Sequence, residues 1–197
     1  MNYLAHAFLS FNDPALLTGN MIGDFVKGKN FGPYPAGVQH GIMLHRAIDH
    51  FTDIHVATKA MKVFFRPDYR LYAGAFTDIV YDYFLANDER FFLNENVLEQ
   101  FAQNTYDTLL QPQWNKHLGI KFGSMFPFMR SQNWLAGYRR ESGLAKSFEG
   151  LKRRSQHIEN SERAMEIFLE NKEQMQQIYQ GFMPQLVMFA KDKISSF

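Results

Sequence analysis

The 197-residue chain has no cysteine. That excludes a disulfide, a thiolate metal site and a thiol nucleophile. Charge of one sign is also lacking: 21 Lys and Arg stand against 20 Asp and Glu, a net +1, so the global balance gives no sign of a nucleic-acid binder. No stretch of ~18 apolar residues runs free of charge, so no transmembrane helix is expected. The opening "MNYLAHAFLSFNDPALL" has no basic residues ahead of its apolar ones, unlike a signal peptide. A soluble cytoplasmic protein is the expectation. What the chain does have is apolar material: 46% hydrophobic and 16% aromatic residues, with 20 Phe. That suffices for a packed core and argues against disorder.

The acids are divided along the chain. Eight of ten Asp lie before residue 89, all ten Glu lie at 89 or later, and five of seven His lie in the first 55 positions. Glu favours helices and suits a solvated helix surface; Asp is poorer. The second half therefore reads as ordinary amphipathic helices, whereas the first half carries short, stiff acids suited to caps or to a site.

The pattern is helical almost throughout. Residues 3–11 read as a short apolar helix. Asp13 before Pro14 is an N-cap followed by Pro at the first helical position. Residues 14–27 read as a helix containing Gly19 and Gly23, which weaken it by ~1 kcal/mol each relative to Ala, so it either breaks near 19 or packs closely. A Gly- and Pro-rich loop follows at 27–37. Helix is expected over 38–53 and on to 66 after a bend, with "RPDY" breaking the pattern. It is expected again over 70–87, where Phe76, Ile79, Val80, Phe84 and Leu85 share a face, and over 94–110. Residues 124–140 read as one or two shorter helices. A helix begins in 147–157 or ends there at Gly150. A last helix or helix pair covers 160–180 and 182–195, with Pro184 near the start of its second part. No period-two run marks a strand, no internal repeat appears, and no linker divides the chain. One all-α domain over 1–197 is expected.

The stretch "GIMLHRAIDHFTDIH" (41–55) packs three His and two Asp into fifteen positions. At ~100° per residue, His45, Asp49 and Asp53 form one stripe, whereas His50 lies ~140° away from His45. His45 and Asp49, one turn apart, aim an imidazole nitrogen and a carboxylate oxygen at one point: two metal ligands, or an acid/base and its orienter. The spacing recurs as Asp78 and Asp82 in "FTDIVYDYFL" and as Asn20 and Asp24 in "GNMIGDF", and His6 sits in apolar "NYLAHAFL". Buried carboxylates need partners, and Lys27 and Arg46 are too few. A divalent cation fits. Oxygen ligands with one or two imidazoles and no sulfur favour Mn²⁺ or Mg²⁺ over Zn²⁺ or Fe²⁺. Other readings stand beside this one. His6 is a ligand or a hydrogen-bonded core histidine. Asp53 is a ligand or a cap. His50 and His55 are outer or exposed groups, and Asp13, Asp68 and Asp88 suit turns and caps.

Taken together, "MNYLAHAFLS", "GNMIGDFVKG", "GIMLHRAIDHFTDIH" and "DIVYDYFLA" resemble, in order and spacing, the acyl carrier protein phosphodiesterase (acyl carrier protein hydrolase) family. The resemblance is close over the first ~90 residues and loose beyond. It implies removal of 4′-phosphopantetheine from the serine of holo acyl carrier protein, use of Mn²⁺, and an all-α bundle distantly like the HD-type metal phosphohydrolases. Carried over, it makes His45 and Asp49 the His–Asp pair, Asp24 and Asp78 further carboxylates, and His6 and Asp82 additional ligands. Asp24, His45, Arg46 and Asp49 are then the catalytic candidates. Two departures stand out. The family's Asp-His-Phe-Leu block has Tyr83 in place of His, and the superfamily's adjacent His-Asp doublet is replaced by His45-Arg46 with the acid four residues on.

The chemistry so implied is in-line attack of a metal-activated water on phosphorus. His45 or His50 would be the general acid and Arg46 a phosphate contact. An acidic carrier protein would dock on a basic face. Residues 130–163 hold eight Lys or Arg against four Glu, with Arg139, Arg140, Lys152, Arg153 and Arg154 as candidates; a solvated helix face is the plainer reading. Lys27 and Lys29 lie in the first loop. The alternatives are a phosphohydrolase acting on a small nucleotide or other phosphodiester, and a non-catalytic helical binding protein.

Overall fold

The computed structural model describes residues 1–28 and 31–197, so the expectation for Lys29 lies outside the described residues. Those residues form helices and no strands. The helices are α1 (Tyr3–Phe8), α2 (Pro14–Ile22) with a 3-10 turn at Gly23–Phe25, α3 (Ala36–Ile54), α4 (Val56–Tyr69) with a 3-10 turn at Arg70–Tyr72, and α5 (Ala73–Ala86). Then come α6 (Glu95–Leu110), α7 (Pro112–Asn115), α8 (Gly119–Ser131), α9 (Trp134–Gly137), α10 (Glu141–Arg154) and α11 (Glu162–Ser195). No helix among the described residues is long and apolar enough to cross a membrane.

Local chemistry explains the boundaries that matter for the site. Asp13 caps α2, its Oδ1 accepting from the N–H groups of Ala15 and Leu16 at 2.8 and 2.9 Å. Gly19 does not break α2; it lets α2 lie against α3. A Cβ there would meet the Val38 carbonyl oxygen at 2.1 Å and the Gly41 Cα at 2.8 Å. The helix instead ends at Ile22. The bend between α3 and α4 is His55, whose Nδ1 accepts from the Ala57 N–H at 3.2 Å and caps α4.

The expected break at "RPDY" does not occur, and the last segment is one helix rather than a pair. Pro67 lies inside the last turn of α4, which continues to Tyr69, and Pro184 lies inside the single 34-residue α11. A proline inside a helix costs about 3 kcal/mol. In α11 the flanking Phe182, Met183, Leu186 and Ala190 are buried and hold it in place. Helix α10 also starts earlier than expected, at Glu141.

Helix α5 sits at the centre. Phe76, Ile79, Val80, Phe84 and Leu85 are buried, but so are Thr77, Tyr81, Asp82 and Tyr83 on the other faces. A helix buried on most of its faces is a core element, and α5 keeps only the strip of Gly74, Ala75 and Asp78 partly open. Helix α11 crosses its back, with Phe182 stacked on Tyr81 at 4.8 Å. Helices α1 and α10 also pack against α5. One continuous apolar cluster runs from Met1 to Ala190.

Candidate metal centre

The site forms where α1, α2 and α3 meet beside α5. His6 and His45 stack face to face, ring centroids 4.0 Å apart. Both rings are buried, and both are oriented by Asn20. His6 Nδ1 lies 2.7 Å from Asn20 Oδ1, and His45 Nδ1 lies 2.8 Å from the Asn20 backbone oxygen. The amide orientation of Asn20 is itself fixed, because its Nδ2 donates to the His6 carbonyl at 2.8 Å and to Ser10 Oγ at 3.1 Å. Carbonyl oxygens only accept, so both Nδ1 atoms carry the proton and both Nε2 atoms face the site. Gly23 makes room for the arrangement: a Cβ there would lie 2.2 Å from His45 Cγ.

The two Nε2 atoms converge on Asp49. His6 Nε2 is 3.2 Å from Asp49 Oδ1, and His45 Nε2 is 3.1 Å from Asp49 Oδ2 and 3.1 Å from Asp24 Oδ1. The Met1 amino group is buried and lies 3.2 Å from both Asp49 Oδ1 and Asp78 Oδ1. His6, His45 and Asp49 thus each offer a ligand atom within 4.8 Å of one another, with Asp24 and Asp78 flanking them.

The electrostatics follow from burial and these contacts. Burial, together with the neighbouring His45, lowers the His6 pKa to about 4, so this ring is neutral. Burial also works against charge on His45, but the bonds to Asp24 and Asp49 raise its pKa to about 9. Burial opposes ionisation of Asp49 too, yet the two imidazoles hold it well below the usual carboxylate range. The His45 bond lowers Asp24. Burial raises Asp78. The Met1 ammonium, despite burial, is held up to about 11 by Asp78 and Asp49.

The residues fit a divalent cation on two counts. His6 Nε2 is buried and makes no hydrogen bond, although Asp49 Oδ1 lies 3.2 Å away, and such an orphan demands an explanation. The donor set is two imidazoles and carboxylate oxygens without sulfur, a mixture that suits a first-row divalent cation.

Not every expected residue joins this group. Asp82 shares a face with Asp78 but has a different task. Its two oxygens accept from the Leu4 and Ala5 N–H groups at 2.8 and 3.2 Å, capping α1 from α5, and burial raises its pKa to about 7. Spacing alone could not separate it from Asp78. Arg46 donates to the Val26 and Gly28 carbonyls at 2.6 and 2.7 Å and stacks over Phe31 at 4.9 Å. It clamps the loop after Asp24. Asp53, 70% exposed, pairs with Lys62. His50 is exposed and turned away from the pair His45 and Asp49. Tyr83 packs its ring against Phe168 at 4.9 Å and lies outside the site. The orienting role of Asn20 went unassigned from sequence, although its four-residue spacing from Asp24 in an apolar helix was the signal for it. The Met1 amine gave no signal.

The chain was compared with known proteins. A family model described as acyl carrier protein phosphodiesterase matches residues 1–186, well past the ~90 residues in which the resemblance is obvious by eye. Proteins of that name from Serratia proteamaculans and Yersinia pestis are similar. The first is 29% identical over 196 residues, covering 98% of this chain and 99% of the relative. The second is 31% identical over 154 residues, covering 78% and 79%. A Photorhabdus laumondii protein of the same name is 32% identical over 158 residues, covering 78% and 77%. No solved structure matches. These names denote hydrolases, and the matched span contains His6, Asp24, His45, Asp49 and Asp78; the chain belongs to the acyl carrier protein phosphodiesterase family.

Proposed function

We propose that the protein is a metal-dependent phosphodiesterase that hydrolyses 4′-phosphopantetheine from the serine of holo acyl carrier protein, giving the apo form. The observation that carries the metal dependence is the orphaned, buried His6 Nε2 beside His45 Nε2 and Asp49. His6, His45 and Asp49 would hold the cation, with Asp24 and Asp78 at its flanks. Mn²⁺ or Mg²⁺, when bound, supplies Lewis-acid polarisation of a phosphoryl oxygen and an acidified water.

The chain's residues supply orientation and proton handling. Asn20 holds both imidazoles through their Nδ1 atoms, an outer-shell arrangement that fixes tautomer and ring direction. Asp24 has a side chain that is 66% exposed, so it stands where water enters and takes the proton of the attacking water. Arg46 keeps the loop after Asp24 closed against α3. The water oxygen bonds to phosphorus as the phosphorus–oxygen bond to serine breaks, and the serine oxygen leaves with a proton taken from solvent. The products are a serine hydroxyl and 4′-phosphopantetheine.

The test is incubation of the purified protein with holo acyl carrier protein and Mn²⁺, followed by intact-mass spectrometry. The expected result is loss of the prosthetic-group mass from the carrier, abolished by a chelator. An unchanged carrier, with a small nucleotide diester cleaved under the same conditions, overturns the reading.

A further inference from the structure

An open groove of about 630 Å³ runs along the outside of the site. Its lining includes Asp53, Lys62, Arg66, Arg70, Leu71 and Asp78. Both long walls start from site carboxylates. Asp53 is one helical turn after Asp49 on α3, and Gly74 in the groove is one turn before Asp78 on α5. The missing side chain at Gly74 lets Lys62 lie close against this wall, since a Cβ there would meet Lys62 Cε at 3.1 Å.

The charges on this rim differ from those on the basic tract at 139–154. Lys62 pairs with Asp53, but among the described residues neither the Arg66 nor the Arg70 guanidinium has a hydrogen bond or ion pair. Next to Arg70, Leu71 is 97% exposed. It is carried on a 3-10 turn whose first residue, Arg70, has φ +47°. In the tract, by contrast, most of the charge is already spent. Arg140 pairs with Glu95, Lys152 and Arg153 pair with Glu149, and Arg139 donates to the Ala86 carbonyl; among the described residues of the tract only Lys146 and Arg154 have no such partner.

We propose that the Arg66–Arg70–Leu71 rim is the docking surface for the carboxylate-bearing face of the protein substrate, around the modified serine. The proposal rests on the function given above. The pantetheine arm is neutral beyond its phosphate, and the phosphate belongs at the metal centre, so two unpaired guanidiniums outside the centre match protein carboxylates. Arginine is enriched at protein interfaces, and the exposed Leu71 beside Arg70 adds apolar surface for a partner to cover. The carrier therefore approaches over the Arg70–Tyr72 turn and feeds its prosthetic group along the groove toward Asp78.

The test is direct binding of apo carrier protein, which presents the same surface and cannot be hydrolysed, to the Mn²⁺-loaded protein by fluorescence anisotropy. The variants are Arg66→Glu with Arg70→Glu, Leu71→Ala, and the control Arg139→Glu with Arg140→Glu. Circular dichroism verifies folding. Reversing the rim charges is expected to weaken binding about tenfold or more and to reduce its salt dependence. Leu71→Ala is expected to weaken it less, and the control is expected to bind like wild type. In turnover of holo carrier the rim variant raises KM and leaves kcat and hydrolysis of bis(p-nitrophenyl) phosphate unchanged. The proposal is overturned if the control weakens binding and the rim variant does not, if neither does, or if wild type fails to bind. It is also overturned if only hydrolysis of the small diester responds, because the groove would then hold phosphate rather than protein. Failure of the proposed function reads out separately, as a holo carrier whose mass does not change.

Discussion

The first 86 residues and the helices that follow place their acids in opposite ways. In α1–α5, Asp49, Asp78 and Asp82 are turned inward, against two stacked imidazoles, a buried ammonium and the start of α1. In α6–α11 most acids are Glu, and several pair with Arg or Lys at the surface, as Glu95–Arg140, Glu141–Lys172 and Glu149–Arg153. Exposed pairs contribute little, typically about 0–1 kcal/mol, and buried charges are often worse for stability than an apolar replacement. The inward acids therefore make sense as chemistry, and the outward ones as solvation. The second half supplies the packing, through α10 and α11 against α5, that holds the first half's site in place.

Substitutions on the two sides should separate these roles. The largest effect is expected at Asp49, which both imidazoles share. Asp49→Ala should cost more activity than the 10–100-fold typical of outer-shell changes, and steady-state hydrolysis of holo carrier reads it directly. Next is Asn20→Ala, which frees the His6 ring at Nδ1 while the backbone oxygen of residue 20 still holds His45. Mn²⁺ affinity by calorimetry should fall by about 10–100-fold, with the helix content unchanged.

Asp82 tests whether burial alone marks a site residue. Asp82→Ala strands two buried N–H groups at the start of α1 and should cost about 2 kcal/mol in urea unfolding, while Mn²⁺ affinity stays at the wild-type value. A fall in metal affinity at constant stability would put Asp82 back among the ligands. The smallest effect belongs to the second half: Glu95→Ala, which removes the exposed pair with Arg140, should shift stability by no more than about 0.5 kcal/mol and leave activity alone.

Much of this contrast was legible in the sequence. The all-helical reading holds, as do the capping role of Asp13 and the buried face of α5 at Phe76, Ile79, Val80, Phe84 and Leu85. Helical spacing brought His45 to Asp49, and it turned His50 away from both. Spacing could not distinguish Asp78 from Asp82, because what differs is the neighbour: the Met1 amine faces one and the start of α1 faces the other. The local rule failed at Pro67, where burial of the flanking Phe65 and Tyr69 outweighs a lost backbone bond. The contacts of Arg46 could not be read from spacing, since its partners are carbonyls of a loop that no periodicity describes.

The central claim, that His6, His45 and Asp49 form a cation site, is most directly tested by anomalous X-ray diffraction from crystals grown with Mn²⁺. A single strong peak bounded by His6 Nε2, His45 Nε2 and the Asp49 carboxylate, with Asp24 or Asp78 beside it, is the predicted result. A peak elsewhere, or no peak with the two imidazoles still held by Asp49 and Asp24 alone, would contradict it.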